Sequence, residues 1–115
     1  ERAVEALILL GADRILTSGG APDVWSGRTQ LQKLQSQYGK EITFLAGSGV
    51  NAQNVKALME YTRIEQVHTS CRSWQPDVTA SLQDVDFSYD ISRKNAYETV
   101  DAVKVKEMRA AMPIL

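Results

Sequence analysis

Three short stretches hold the residues best suited to chemistry: Thr17-Ser18-Gly19-Gly20, Gly47-Ser48-Gly49-Val50 and Ser70-Cys71-Arg72-Ser73. Each follows a short apolar run that reads as a strand, and each is rich in glycine or hydroxyl groups. Small residues let a ligand reach backbone N–H groups, and a helix N-terminus favours negative charge. The second stretch is the best candidate, because it runs straight into a helix expected to start near Asn51, a suitable N-cap. Two readings stay open at this point. The glycines either cradle an anion or simply make a tight turn from strand to helix.

Gly47-Ser48-Gly49-Val50-Asn51-Ala52 also fits the dinucleotide fingerprint G-x-G-x-x-G/A. That motif needs an acidic residue at the end of the next strand to hold the ribose hydroxyls. Here the strand ends His68-Thr69-Ser70, and Glu65 lies at its wrong end. No nicotinamide cofactor is expected. The same strand alternates Gln66, His68 and Ser70 on one face with Val67, Thr69 and Cys71 on the other. A polar face costs little only beside water, a ligand or polar partners. His68, the chain's one histidine, is therefore expected to line a pocket, with a structural hydrogen bond favoured over catalysis.

Other candidates are weaker. Cys71 is the single cysteine, and a lone cysteine is more often a small buried hydrophobe than a soft-metal ligand. No Cys-x-x-Cys, Cys-x-His or methionine cluster is present, so this stretch is expected to hold no metal ligands. Met59, Met108 and Met112 fall on helical apolar stripes. Asp77, Asp84, Asp86 and Asp90 fit no EF-hand spacing and read as a solvated loop. Trp25 and Trp74 stand near the first and third stretches, as a pocket rim or an oligomer contact.

These loops need elements to position them. Val4, Leu7 and Ile8 predict a helix over residues 1–10, stopped by Gly11. Asp13–Leu16 reads as a buried strand. Leu31, Leu34 and Tyr38 mark a helix over 25–38, ended by Gly39. Ile42–Ala46 is the clearest strand. Val55, Leu58 and Met59 mark the next helix, and Gln66–Thr69 a third strand. No period is visible from Ser70 to about Arg93. Residues 96–112 read as helix, with Val105, Met108 and Met112 on one stripe and Pro113 as the stop. Strands separated by helices should be parallel, repeating at roughly 28 residues as βα units do. Two completions suit such a sheet: an open doubly wound fold, or a (β/α)8 barrel of about 250 residues, of which this would be nearly half. The first residues already look like mid-helix, so the chain is expected to be part of a longer domain.

Composition narrows the partners. The 115 residues carry 13 basic and 14 acidic side chains, a net charge of −1, which gives no electrostatic reason to bind nucleic acid or an anionic membrane. No apolar run is long enough for a membrane span. One cysteine excludes an intrachain disulfide framework and suits a reducing compartment.

Arg14-Ile15-Leu16-Thr17-Ser18-Gly19, then Ala46-Gly47-Ser48-Gly49-Val50-Asn51, then Val67-His68-Thr69-Ser70, in that order and spacing, resemble the C-terminal half of the CutC copper-homeostasis family. Tyr97, Val100, Asp101, Val105 and Met108 are similar to its last helix. The resemblance implies an α/β fold, the C-terminal half of a (TIM) (β/α)8 barrel, with residues 1–115 belonging to that single domain. It implies a cytoplasmic homo-oligomer linked to copper homeostasis, with copper ligands in the N-terminal half. Thr17, Ser18, Gly19, Gly47, Gly49, His68 and Ser70 match the family motif and take its pocket assignment, with Ser48 between the two glycines. Cys71 stands where the family has a small alanine, and residues 75–92 depart from the family pattern. Two functions follow. One is copper handling by the full-length barrel. The other is a barrel enzyme acting on a small phosphorylated or anionic metabolite. A plain interaction module ranks last.

Overall fold

A computed structural model describes residues 1–76 and 96–115. The aspartates Asp77, Asp84, Asp86 and Asp90 lie outside the described residues. Those residues divide into two compact units, Glu1–Thr69 with Glu107–Leu115, and Ser70–Lys106.

In the first unit, α1 (Arg2–Leu9) leads through Gly11 to β1 (Arg14–Thr17). Gly11 takes φ +78, a left-handed turn that glycine adopts at no steric cost. Next come α2 (Arg28–Tyr38), β2 (Thr43–Ala46), α3 (Val55–Thr62) and β3 (Gln66–Val67). The three strands form one parallel sheet in the order β1-β2-β3. Consecutive right-handed crossovers between parallel neighbours carry both helices to the same face of the sheet. Phe44 and Ala46 share one face of β2 and are fully buried, as are Leu31 of α2 and Val55 and Leu58 of α3. Leu16 and Leu45, paired in register, point to the opposite face. Leu45 is half-buried there and Leu16 is 57% exposed.

The stripe expected on α1 is only partly covered: Val4 is buried, Ile8 half-buried and Leu7 exposed. Tyr38 fastens α2 to α1 by donating its hydroxyl to Glu5 Oε1 at 2.7 Å. That bond to a carboxylate pushes the phenol pKa up to about 12.

In the second unit, β4 (Arg72–Pro76) pairs antiparallel with β5 (Ala96–Val100). Arg72 and Glu98 form an ion pair at 2.9 Å across the two strands. Asp101 then starts the last described helix, α4 (Ala102–Ala111), whose residues from Glu107 on belong to the first unit; the Asp101 Oδ1 accepts from the N–H groups of Val103 and Lys104. The helix expected over 96–112 is thus shorter by a whole strand, and β4 occupies part of the stretch without visible period. Tyr97 and Thr99 are β-formers, and their cross-strand pairing to residues 72–76 outweighs the helical spacing that begins at Val105. The remaining boundaries shift for local reasons. β1 ends at Thr17, one residue later than expected. α2 begins at Arg28 because Asp23 binds Ser26 N–H and hydroxyl and holds residues 23–26 in a turn.

Candidate functional site

The parallel register brings three distant chain segments to one end of the sheet. Thr17, Ala46 and Val67 stand in one row. The ladder then runs one step further, with Gly47 N–H donating to Thr17 C=O at 3.1 Å and His68 N–H to Ala46 C=O at 2.8 Å. The loops after β1, β2 and β3 therefore start level with one another, at the end where parallel α/β sheets place ligands.

Loop one closes on itself. Gly19 N–H donates to Thr17 Oγ1 at 3.0 Å, and Ser18 Oγ donates to Ala21 C=O at 2.6 Å. Gly19 has φ +78, and a Cβ there would lie 2.5 Å from Gly27 O. A Cβ on Gly27 would lie 1.8 Å from Ser18 O. The two glycines let the loop backbone press directly on the turn before α2.

Loop two is tied to loop one. Ser48 sits at φ +85, and its hydroxyl donates to Pro22 C=O at 2.9 Å while its carbonyl accepts from Val24 N–H at 3.0 Å. Loop three is tied to loop two, because Thr69 Oγ1 donates to Val50 C=O at 2.8 Å. His68 is exposed beside Gly47. A Cβ on Gly47 would stand 3.4 Å from His68 Cβ and 2.6 Å from Leu16 Cδ1.

The turn before α3 spends its own donors. Asn51 Oδ1 accepts from the N–H groups of Gln53 and Asn54, and Asn54 Oδ1 accepts from Asn51 N–H. Asn51 is thus a cap, but for a turn that delays α3 until Val55. An anion at loop two would have to use N–H groups of residues 48–50. Asp23 bears on that chemistry, and sequence reasoning passed over it. Its Cβ lies 3.5 Å from where a Cβ on Gly49 would stand. The Ser26 N–H and hydroxyl hold its carboxyl below the usual range, so it is ionised at neutral pH and opposes a second negative charge beside Gly49. The Asp-x-x-Ser spacing of Asp23 and Ser26 was the available signal. Trp25 lies on the α2 side, with the Arg28 guanidinium 4.7 Å above its ring.

Of the residues singled out from sequence, Thr17, Ser18, Gly19, Gly47, Ser48, Gly49 and His68 belong to the first unit. Ser70 is exposed and belongs to the second, as does half-buried Cys71 at φ +45. Among the described residues, no three His, Cys, Asp or Glu side chains gather as a metal site. No helix among them is long and apolar enough to cross a membrane.

The sequence profile described as CutC family matches residues 1–73. The chain belongs to the CutC family. A Glaesserella parasuis protein named family protein CutC is 36% identical over 104 residues, 90% of this chain and 42% of that protein. The family protein CutC of Vibrio parahaemolyticus is 42% identical over 76 residues, 66% of this chain and 31% of that protein. A Rhizobium meliloti namesake is 33% identical over 110 residues, covering 96% of this chain and 43% of that protein. The chain therefore spans less than half the length of these CutC relatives. The CutC match takes in all three loops.

Proposed function

We propose that this chain is the C-terminal part of a single (β/α)8-barrel domain in a copper-homeostasis protein, and that it supplies a ligand-binding rim instead of metal ligands. The bare sheet face carries the barrel reading. Parallel sheets bury both faces, yet Leu16 is 57% exposed on a face it shares with Leu45. A barrel turns that face inward and leaves α2 and α3 outside. The copper role rests on family membership and on the resemblance carried by Arg14–Gly19, Ala46–Asn51 and Val67–Ser70.

Cu(I) selects thiolate and thioether ligands. The residues present do not fit it. Cys71 is the chain's one cysteine, Met59 and Met108 are buried core, Met112 is half-buried, and no three His, Cys, Asp or Glu side chains gather among the described residues. Copper ligands are assigned to the remaining length of the family barrel. Thr17, Ser18, Gly19, Gly47, Ser48, Gly49 and His68 are assigned to the pocket wall, where small loops shape the opening and His68 offers an exposed imidazole. Titrating the full-length protein with Cu(I) under reducing conditions tests this. Cys71→Ser should leave the stoichiometry unchanged, and binding no tighter than that of an unrelated one-cysteine protein would end the copper reading.

The three aligned loops favour a second reading, a barrel enzyme acting on a small phosphorylated or anionic metabolite. Crystals soaked in phosphate or sulfate should show the anion on the N–H groups of residues 48–50. An empty loop under those conditions removes its support. The protein is further proposed to be a cytoplasmic homo-oligomer, so light scattering should give a mass above that of one full-length chain.

A further inference from the structure

At the end of the sheet opposite these loops, α2 and α3 finish beside a groove of about 740 Å³. Gly39 precedes β2 and Arg63 precedes β3, which places the groove at the amino ends of the strands. Lys33, Lys40 and Arg63 line it with Gln32, Gln35 and Thr62, and no acidic residue does so among the described residues. Its size falls in the range of small-ligand sites.

Several of these groups are already occupied. The Lys33 ammonium is held by the Glu1 carboxylate, Gln32 Nε2 donates to Tyr61 C=O at 2.9 Å, and the buried Thr62 hydroxyl donates to Leu58 C=O at 2.8 Å. Lys40 and Arg63 differ. Among the described residues, neither side chain has an ion-pair or hydrogen-bond partner. Arg63 is also unusual in its backbone. It closes α3 at φ +63 and ψ 16, with its N–H on Met59 C=O at 2.8 Å. Where a helix ends on a left-handed residue, that residue is usually glycine, since a side chain is disfavoured there. Arg63 sets a cation at the groove in spite of that backbone position.

We propose that this groove binds a small polyanion, a molecule bearing two or more phosphate or carboxylate groups, through Lys40 and Arg63. A guanidinium grips an oxyanion with two parallel hydrogen bonds, and an ammonium adds a point charge. The groove lies apart from the loop rim and does not depend on the function assigned to it. The competing account is that both cations merely offset the negative ends of α2 and α3. Inorganic tripolyphosphate, titrated calorimetrically into the full-length protein, separates the two. Saturable binding is expected, weaker at higher salt. Arg63→Gly should weaken it about tenfold, a 1.4 kcal/mol loss, while the melting temperature holds or rises because glycine suits the left-handed backbone. A lower melting temperature with an unchanged titration makes Arg63 a helix cap only and overturns the proposal. So does an absence of saturable binding, or binding that Arg63→Gly leaves unchanged. If Arg63→Gly does not fold, Lys40→Gln/Arg63→Gln decides the matter by the same titration.

Discussion

Phe44 and Leu45 are neighbours on one strand, yet Phe44 is 1% exposed under the helices while Leu45 shares the other face with a Leu16 that is 57% exposed. The same backbone thus presents one finished surface and one unfinished surface. Strand β2 reads Thr43-Phe44-Leu45-Ala46, apolar on both faces over its last three residues, as a doubly covered parallel strand requires. The difference separates what stabilises the described unit from what its sequence is prepared to bury.

Four measurements break or sharpen that contrast. Phe44→Ala should cost about 3–5 kcal/mol in urea unfolding, since it removes the largest fully buried side chain among the described residues and leaves a cavity. A loss under about 1 kcal/mol would mean the helix-covered face is not the core. Gly27→Ala should cost about 1–3 kcal/mol, as an overpacked site does, because its Cβ would fall 1.8 Å from Ser18 O. Leu16→Ala is the sharpest comparison. In the 115-residue chain alone it should cost below about 1 kcal/mol, as exposed positions do, and in the full-length protein about 2–5 kcal/mol if a barrel encloses it. Equal small losses in both would refute the enclosed face. Tyr38→Phe has the smallest effect and a distinct pH signature. The phenol's folded pKa of about 12 lies above its ordinary 10.0, so folding favours the protonated form. Its contribution is fully present below pH 10 and is lost as pH rises through 12. The wild type should lose stability across that window more steeply than Tyr38→Phe.

Much of the first unit was legible in the sequence. Val55, Leu58 and Met59 mark a helix that forms and buries all three, and the strand expected over Ile42–Ala46 forms as Thr43–Ala46. Periodicity failed where pairing decides. Residues 96–100 stand next to a real helical stripe, but their partners lie at 72–76, a separation no local spacing reports. The candidate loops were legible as positions, because glycine and hydroxyl residues mark strand ends. Their joining was not. Ser48 reaches residues 22 and 24, and Thr69 reaches Val50, through main-chain groups that carry no side-chain signature.

That seam has a consequence for how the sequence can drift. Ser48 grips the carbonyl of Pro22, a group every amino acid possesses, and the Pro22 side chain is exposed. Position 22 is therefore free to change its identity over evolutionary time without loosening the rim. Position 24 has far less latitude, since it must keep an N–H for Ser48 and an apolar body that is 0% exposed. Proline is barred there even though it stands two residues earlier. A library randomised over residues 22–24 should recover nearly any residue at the first site and only a few aliphatic ones at the last.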